Sequence, residues 1–149
     1  MKQFKTIISV SYHLQKSLLL VLSLLLITLS CSQTSNGSWF QKGQDIDGEA
    51  PGDRSGISVS MPDANTVAIG APWNDGNGFD AGQVRVYEWN GSKWVQKGQD
   101  IEGEAEWNKS GFSVSMPDAN TVAIGAPEND GKRRRYNAGH VRVYSIRAQ

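Results

Sequence analysis

A close internal repeat constrains the fold of this chain more than any other feature. Residues 41–72 recur at 96–127 with 26 of 32 positions identical, which is a period of 55 residues. A second block, 81–87, recurs at 138–144 with an offset of 57, so two extra residues lie in the loop between the blocks. A fixed period of this length indicates a supersecondary unit that buries its apolar face by stacking on its neighbours.

The first half of each unit carries the pattern of two short strands. Apolar and polar residues alternate from Ile57 to Met61, and again around Val67 and Ile69, which is the period-2 pattern of a strand. The segment 62–65, Pro-Asp-Ala-Asn, supplies the turn between them. The sequence therefore predicts a β-hairpin here.

The second half of each unit predicts two more strands. The third predicted strand covers 83–89, and Asn90-Gly91 after it is a hairpin signal because both residues accept a positive φ. The fourth predicted strand runs from Trp94 to about Ile101. Four antiparallel strands in about 55 residues have the size of a propeller blade. The predicted fold is all-β: a partial β-propeller of two propeller-type blades with four antiparallel strands each.

The N-terminal 30 residues differ in kind from the rest of the chain. Three lysines precede an apolar run at 18–29, and the composition turns polar after Cys31. This is the layout of a secretory signal, and the run is shorter than the about 20 apolar residues that a membrane span needs. We predict a lipoprotein-like signal peptide at 1–30 and a linker at 31–38.

Cys31 directly follows the apolar run and a small residue, an arrangement that resembles the lipobox of bacterial lipoproteins. The resemblance implies lipid attachment at Cys31 and a membrane-anchored lipoprotein of the cell envelope or surface. Ordinary cleavage near Cys31, which would give a secreted protein, and an uncleaved anchor are the alternatives.

The composition after residue 30 excludes several classes of function. With 12 basic and 15 acidic residues, this part carries a net charge of −3, which argues against a nucleic-acid partner. A single Cys excludes an internal disulfide and a metal site built on several cysteines. His140 is the only histidine after residue 30 and its repeat counterpart is Gln83, so a histidine-based catalytic role in every blade is excluded. Cys31 lies at the terminus of this part, and we find no Ser/His/Asp or Cys/His set in the sequence. We predict that the protein is not an enzyme and uses no cofactor or metal.

The segments 55–60 and 67–72, with their copies at 110–115 and 122–127, resemble the FG-GAP repeat, which forms the blades of the integrin alpha-subunit propeller. The Gly-Ala-Pro half is intact in both copies, whereas the Phe-Gly half is degenerate. The turn at 61–66 offers one carboxylate, so the calcium loop of many integrin blades is not carried over. The resemblance implies a structural role for the motif residues Gly56, Gly70, Ala71, Pro72, Gly111, Gly125, Ala126 and Pro127.

The order of the strands predicts how the units assemble. We assign 39–101 to a first FG-GAP-like repeat with a leading strand of the fourth type at 39–46, and 102–149 to a second repeat. Two blades do not close a propeller ring of the usual four to eight. Either identical chains form a homo-oligomer through their blade faces, with three or four chains giving six or eight blades, or the chain is a shortened relic of a longer propeller protein. A stable monomer in which the leading strand folds back onto the last blade is the third alternative.

The loop at 73–80 and its counterpart at 128–137 are the one place where the two repeats diverge in both length and charge. Loops on a rigid scaffold carry binding, and an aromatic residue beside Asp and Asn suits a protein or glycan ligand. An unconstrained turn is the alternative, in a repeat that is purely structural and has no ligand. The candidate ligand-binding residues are Trp73, Asp75, Asn77, Asp80, Asn129, Asp130, Arg133, Arg134 and Tyr136.

Overall fold

The computed structural model describes residues 36–131 and 136–147, and these contain strands and no helix. The chain divides into two compact units, Met1–Phe40 and Gln41–Gln149. Of the first unit only 36–40 is described, without regular structure. The second unit contains β1 (Ser58–Asp63), β2 (Thr66–Ala71), β3 (Gln83–Trp89), β4 (Trp94–Gln96), β5 (Ile101–Glu102), β6 (Ser113–Asp118), β7 (Thr121–Ala126) and β8 (His140–Ser145).

These strands form two antiparallel sheets, one for each repeat. The first sheet has the order β1-β2-β3-β4, and β5 also pairs with β3. The second sheet has the order β6-β7-β8. The prediction of an all-β fold built from two propeller-type units is confirmed, and we call the sheets blade 1 (β1–β5) and blade 2 (β6–β8).

The first hairpin differs from the prediction in the place of its turn. Asp63 pairs with Thr66, so the turn is confined to Ala64 and Asn65, and Pro62 lies inside β1. The register shifts between Ser60 and Asp63, and the same shift recurs in blade 2. A proline lacks the N–H that a regular ladder needs and is accommodated at such an irregularity.

The hairpin between β3 and β4 has a longer loop than the Asn-Gly signal predicts. Trp89 pairs with Trp94, which leaves a four-residue loop in place of a two-residue turn. Asn90 closes this loop, because its side-chain oxygen accepts hydrogen bonds from the backbone N–H groups of Ser92 and Lys93. Only Gly91 adopts a positive φ within it.

The prediction of a continuous fourth strand from Trp94 to Ile101 is wrong, because residues 97–100 separate β4 from β5. Gly98 within this break has a φ of 82°, in the left-handed region. Lys97 still donates its backbone N–H to Val86, but its side chain reaches the Ala119 carbonyl in blade 2. The break therefore lets one segment serve both blades.

The predicted leading strand at 39–46 is not present as a strand in the described chain. No residue between 36 and 57 lies in a strand. A strand exists only when its backbone pairs with another strand. Residues 41–46 instead pack on blade 1, where Ile46 contacts the cluster of Val67, Ile69 and Tyr87.

The main core lies between the two blades. Ala68, Val84 and Val86 of blade 1 form a single buried cluster with residues of blade 2. The members from blade 2 are Met116, Val122 and Ile124. Stacking of one unit on its copy buries the apolar faces, as the repeat predicts.

Candidate functional site: the β2–β3 and β7–β8 loops

The repeat motif sets the stem from which each candidate loop leaves its blade. Gly56 donates its backbone N–H to the Gly70 carbonyl (3.1 Å), and Gly111 donates in the same way to Gly125 (3.2 Å). Gly56 and Gly111 have φ values of 92° and 86°, which favour glycine. Ala71 and Ala126 are buried at the strand ends, with Pro72 and Pro127 directly after them. The motif glycines thus link the start of each blade to its second strand.

Loop 73–80 is held in shape by its own polar side chains. Asn74 is buried; its side-chain oxygen accepts from the Gly76 N–H, and its amide donates to the Asp53 carboxylate at 2.8 Å. Asp75 accepts from the backbone N–H of Asp80 at 2.8 Å. These bonds satisfy backbone groups that a flexible loop would leave to water.

Loop 128–137 uses the same anchors at equivalent positions. Asn129 accepts from the Gly131 N–H and donates to Asn108, and Asp130 accepts from the Asn137 N–H at 3.0 Å. The two extra residues of this loop therefore lie between fixed points. Arg133 and Arg134 fall outside the described residues.

Trp73 lies between two cationic side chains rather than open to solvent. The Arg54 guanidinium is 4.4 Å from its ring centroid, and the Lys109 ammonium is 5.4 Å away. In blade 2 the equivalent of Trp73 is Glu128, which forms a 2.7 Å ion pair with Lys109. Lys109 therefore joins the loop stems of the two blades.

The exposed aromatic surface at the first loop is formed by two residues that are not among the candidates predicted from the sequence, Phe79 and Trp107. Phe79 packs against Trp107, with ring centroids 4.5 Å apart, and both are about half exposed. Trp107 occupies the position of Gly52 in the first repeat. Because the two repeats are nearly identical, this replacement of a glycine by a tryptophan could have identified Trp107 from the sequence. Asn77 donates to the Gly103 carbonyl at 2.7 Å, which fixes the loop tip beside this pair. Tyr136, the counterpart of Phe79, is 88 % exposed.

A polar cluster lies beneath the first loop. Gln83 donates to Glu49 at 2.7 Å, while Arg85 lies 3.6 Å from the same carboxyl group. Glu102 pairs with Gln83 across the sheet, and burial, together with the nearby carboxylates Asp100 and Glu49, raises the pKa of Glu102. One side-chain oxygen of Gln83 and one of Glu102 are buried without a hydrogen-bond partner. Among the described residues, no group of three or more His, Cys, Asp or Glu side chains is arranged to hold a metal ion.

An apolar cleft between the blades is the other concave feature of interest. It is lined by Val86, Ile101, Met116 and Tyr144, among others, and has a volume of about 190 Å³. Small-molecule pockets usually have about 300–1,000 Å³. This cleft is therefore smaller than a usual small-molecule site.

Two repeated antiparallel sheets that stack face to face, with loops fixed at equivalent anchors, define a β-propeller-type repeat module. Residues 45–87 match the family model of the FG-GAP repeat, and the match covers β1, β2 and β3 as far as Tyr87. The FG-GAP resemblance predicted from the sequence is confirmed for this repeat. A search of curated proteins found no match to the chain. Across the part of the chain that the structure describes, we find no helix with the length and apolar character to cross a membrane.

Proposed function

We propose that this protein is a non-enzymatic, surface-anchored module of two FG-GAP-type blades that binds a protein or glycan ligand through loops 73–80 and 128–137. One observation carries the proposal. The two loops share the same anchoring bonds, from Asn74 and Asp75 in one and from Asn129 and Asp130 in the other, yet their tips differ. A conserved frame with divergent tips is typical of binding loops on a rigid scaffold.

The chemistry of the tips supports two kinds of contact. Phe79 and Trp107 offer a partly exposed aromatic surface beside Asp80, which suits a sugar ring or a peptide side chain. The second tip contains the basic run 132–135, Lys-Arg-Arg-Arg, which suits an anionic group on a glycan or protein.

A purely structural repeat without a ligand is the second candidate, and one observation favours it. Asp75, Asn129 and Asp130 already use side-chain oxygens to hold the loop backbone. One side-chain oxygen of each of these residues therefore already serves the loop backbone. The roles of Phe79, Tyr136 and the basic run decide between the two functions.

Substitutions at the tips of the two loops test the binding function. We would replace the basic run with four glutamines, leaving the anchors Asp130 and Asn137 in place, and separately change Phe79 to Ser. The probes are an array of neutral and sulfated glycans and attachment of the purified chain to intact cells. Lys93→Gln, an exposed change in the β3–β4 loop, is the matched control.

We expect the glutamine variant to lose binding to anionic glycans or cells by at least about tenfold, since charge contacts dominate such binding, while Lys93→Gln keeps it. Wild-type protein that binds neither the array nor cells would favour the structural repeat. So would binding that both loop variants retain in full.

The surface location rests on the N-terminal segment, which lies outside the described residues. Attachment of lipid at Cys31 would tether the chain to a membrane, because each buried CH₂ of an acyl chain contributes about 0.8 kcal/mol. Cys31→Ala is expected to move the protein from the membrane fraction to the soluble fraction. A variant that stays in the membrane fraction with its signal segment intact would assign the anchor to residues 18–29 instead.

A further inference from the structure

Each blade has a docking site for the backbone that leads into the next blade, and we call this site the seat. The seat is occupied on blade 1 and empty on blade 2 within the described residues. On blade 1 the seat receives Ser110 and Gly111, which lie just before the first strand of blade 2. Ser110 forms a parallel bridge with Gly82 and donates its N–H to the Ala81 carbonyl at 3.0 Å. The Gly111 carbonyl accepts from the Ser58 hydroxyl at 2.7 Å. The seat therefore binds its occupant mainly through backbone atoms.

The same seat on blade 2 is an open groove. It is lined by the repeat counterparts of the blade 1 seat and has a volume of about 380 Å³. Its lining includes Ser113, Gly125, Pro127, Gly139 and Val141. Gly125 shows the difference most directly: the three atoms nearest to a Cβ there all belong to Ser113, whereas the atom nearest to a Cβ at Gly70 is the Gly111 carbonyl oxygen.

The apolar residues around the seat follow the same asymmetry. Val84 is 0 % exposed and Val86 is 8 % exposed because blade 2 covers them. Their counterparts Val141 and Val143 are 68 % and 65 % exposed. Blade 2 therefore presents a close copy of the blade 1 surface, with the same valines and glycines but His140 in place of Gln83, and nothing within the described residues covers it.

The edge of β8 is also a copy of an edge that is paired in blade 1. There, Gln83 pairs with Glu102 and Val84 with Ile101 through the joining segment, residues 96–104. The joining segment also binds forward to blade 2, where Lys97 donates to the Ala119 carbonyl and Arg142 donates to the Glu102 carbonyl. The joining segment thus makes two sets of contacts: a backward set with the third strand of the preceding blade and a forward set with the blade that follows.

Residues 41–49, which we call the leading segment, make only the forward set of these contacts. Lys42 reaches the Ala64 carbonyl and the Asn65 side chain of blade 1, as Lys97 does on blade 2. Arg85 donates to the Asp47 carbonyl at 2.7 Å, as Arg142 does to Glu102. The backward set would pair the leading segment with the third strand of a preceding blade, and no described residue provides that strand.

We propose that a second copy of this chain docks head to tail on blade 2, its blade 1 repeating the contact that blade 2 makes with blade 1 inside the chain. Ser55 and Gly56 of the second copy fill the groove at Gly125 and Gly139. Its leading segment pairs along β8, with Asp47 opposite His140 and Ile46 opposite Val141. The occupant is specified because the chain itself contains the completed interface, whose counterparts are 26 of 32 identical over 41–72 and 96–127.

Disulfide cross-linking between two different chains tests this register. Two single-cysteine proteins, Asp47→Cys and His140→Cys, are made in the full chain with Cys31→Ala to remove the native thiol. Directly opposed residues of paired strands lie within reach of a disulfide after mild oxidation. Because each protein has one cysteine, a mixed dimer on a non-reducing gel joins separate chains. The control pair is Asp47→Cys with Ser145→Cys, five residues away along β8.

We expect the mixed dimer to form at least about fivefold more in the Asp47–His140 mixture than in the control mixture or in either protein alone. A third version of the His140→Cys protein, with Val143→Lys added, should reduce the yield to the control level, because a charge replaces an apolar contact. Val143 is exposed in the single chain, so circular dichroism is expected to show this version folded. Equal yields in matched and control mixtures of folded proteins would overturn the proposal, as would a yield that Val143→Lys leaves unchanged.

Discussion

Met116 and Met61 occupy the same position of the two repeats, yet Met116 is 7 % exposed and Met61 is 53 % exposed. Met116 lies in the core between the blades, and its backbone N–H donates to the Ser60 hydroxyl at 2.9 Å. Met61 lies on the opposite side of blade 1, where Ile46 packs on another apolar cluster but the described residues leave Met61 half exposed. The difference comes from stacking and not from sequence, because the strand SVSMPD is identical in both blades.

The two Gly-Ala-Pro glycines are expected to tolerate substitution unequally. A Cβ at Gly70 would collide with the Gly111 carbonyl of the neighbouring blade, whereas a Cβ at Gly125 would meet mainly the Ser113 hydroxyl, which can rotate away. Gly70→Ala should therefore lower the free energy of unfolding by about 2–3 kcal/mol and Gly125→Ala by about 1 kcal/mol or less. Urea denaturation of both variants measures this, and equal losses would show that the close approach at Gly70 is not what matters.

Truncation of two equivalent valines separates the internal core from the outer face. Val84→Ala removes buried methyl groups and should cost about 2 kcal/mol at any protein concentration. Val141→Ala removes exposed groups and should cost little in dilute protein, with a loss that grows as concentration rises, since association stabilises the folded state. Thermal melts over a hundredfold range of concentration distinguish the two. A large loss for Val141→Ala in dilute protein would mean that its environment differs from the one described.

The buried amide beneath loop 73–80 gives a test of loop anchoring. Asp53 accepts from Asn74 at 2.8 Å, and its repeat counterpart Asn108 accepts from Asn129. Asp53→Asn should be nearly neutral because the second blade already uses that pair. Asp53→Leu leaves the Asn74 amide buried without an acceptor and should cost about 1–3 kcal/mol. The prediction fails if the two variants have the same midpoint in chemical denaturation.

Glu102 predicts a specific pH dependence of stability. Burial first, and then Asp100 and Glu49, raise its pKa in the folded state above the ordinary 4.5. The stabilisation of the folded state by protonated Glu102 is therefore fully present below the unfolded pKa of this group. It is lost as the pH rises through the raised folded pKa. Glu102→Gln should remove this loss, so the variant gains melting temperature relative to wild type as the pH rises from 4 to 7. The control is Glu106→Gln at an exposed site, and parallel curves for wild type and Glu102→Gln would contradict the assignment.

The sequence predicted the strands whose signals are local. Alternating apolar residues around Val67 and Ile69 and the run from Gln83 to Trp89 are strands in the structure, because their patterns match the two faces that they bury. The break at 97–100 was not predictable in this way. It depends on where the Lys97 side chain reaches in the next blade, and that is a tertiary contact.

The candidate loop was located by comparing the two repeats, but the roles of its residues were not predictable. Asp75 and Asp130 are polar residues in a loop, which fits either a ligand contact or a backbone anchor. Their hydrogen bonds to Asp80 and Asn137 appear only when the chain is folded. The predicted leading strand shows the same limit: residues 39–46 carry a strand pattern but have no partner strand in the described chain.

The outer faces of blade 1 and blade 2 repeat the two sides of the interface between the blades, so two chains should associate through them. The mass of the protein in solution measures this association. Sedimentation equilibrium of the full chain in mild detergent, beside Val143→Lys, keeps the apolar segment 18–29 constant in both samples. We expect wild type to have a mass of at least two chains, which falls on dilution, and Val143→Lys to have the mass of one chain under the same conditions. Equal masses for the two folded proteins at every concentration would contradict this expectation.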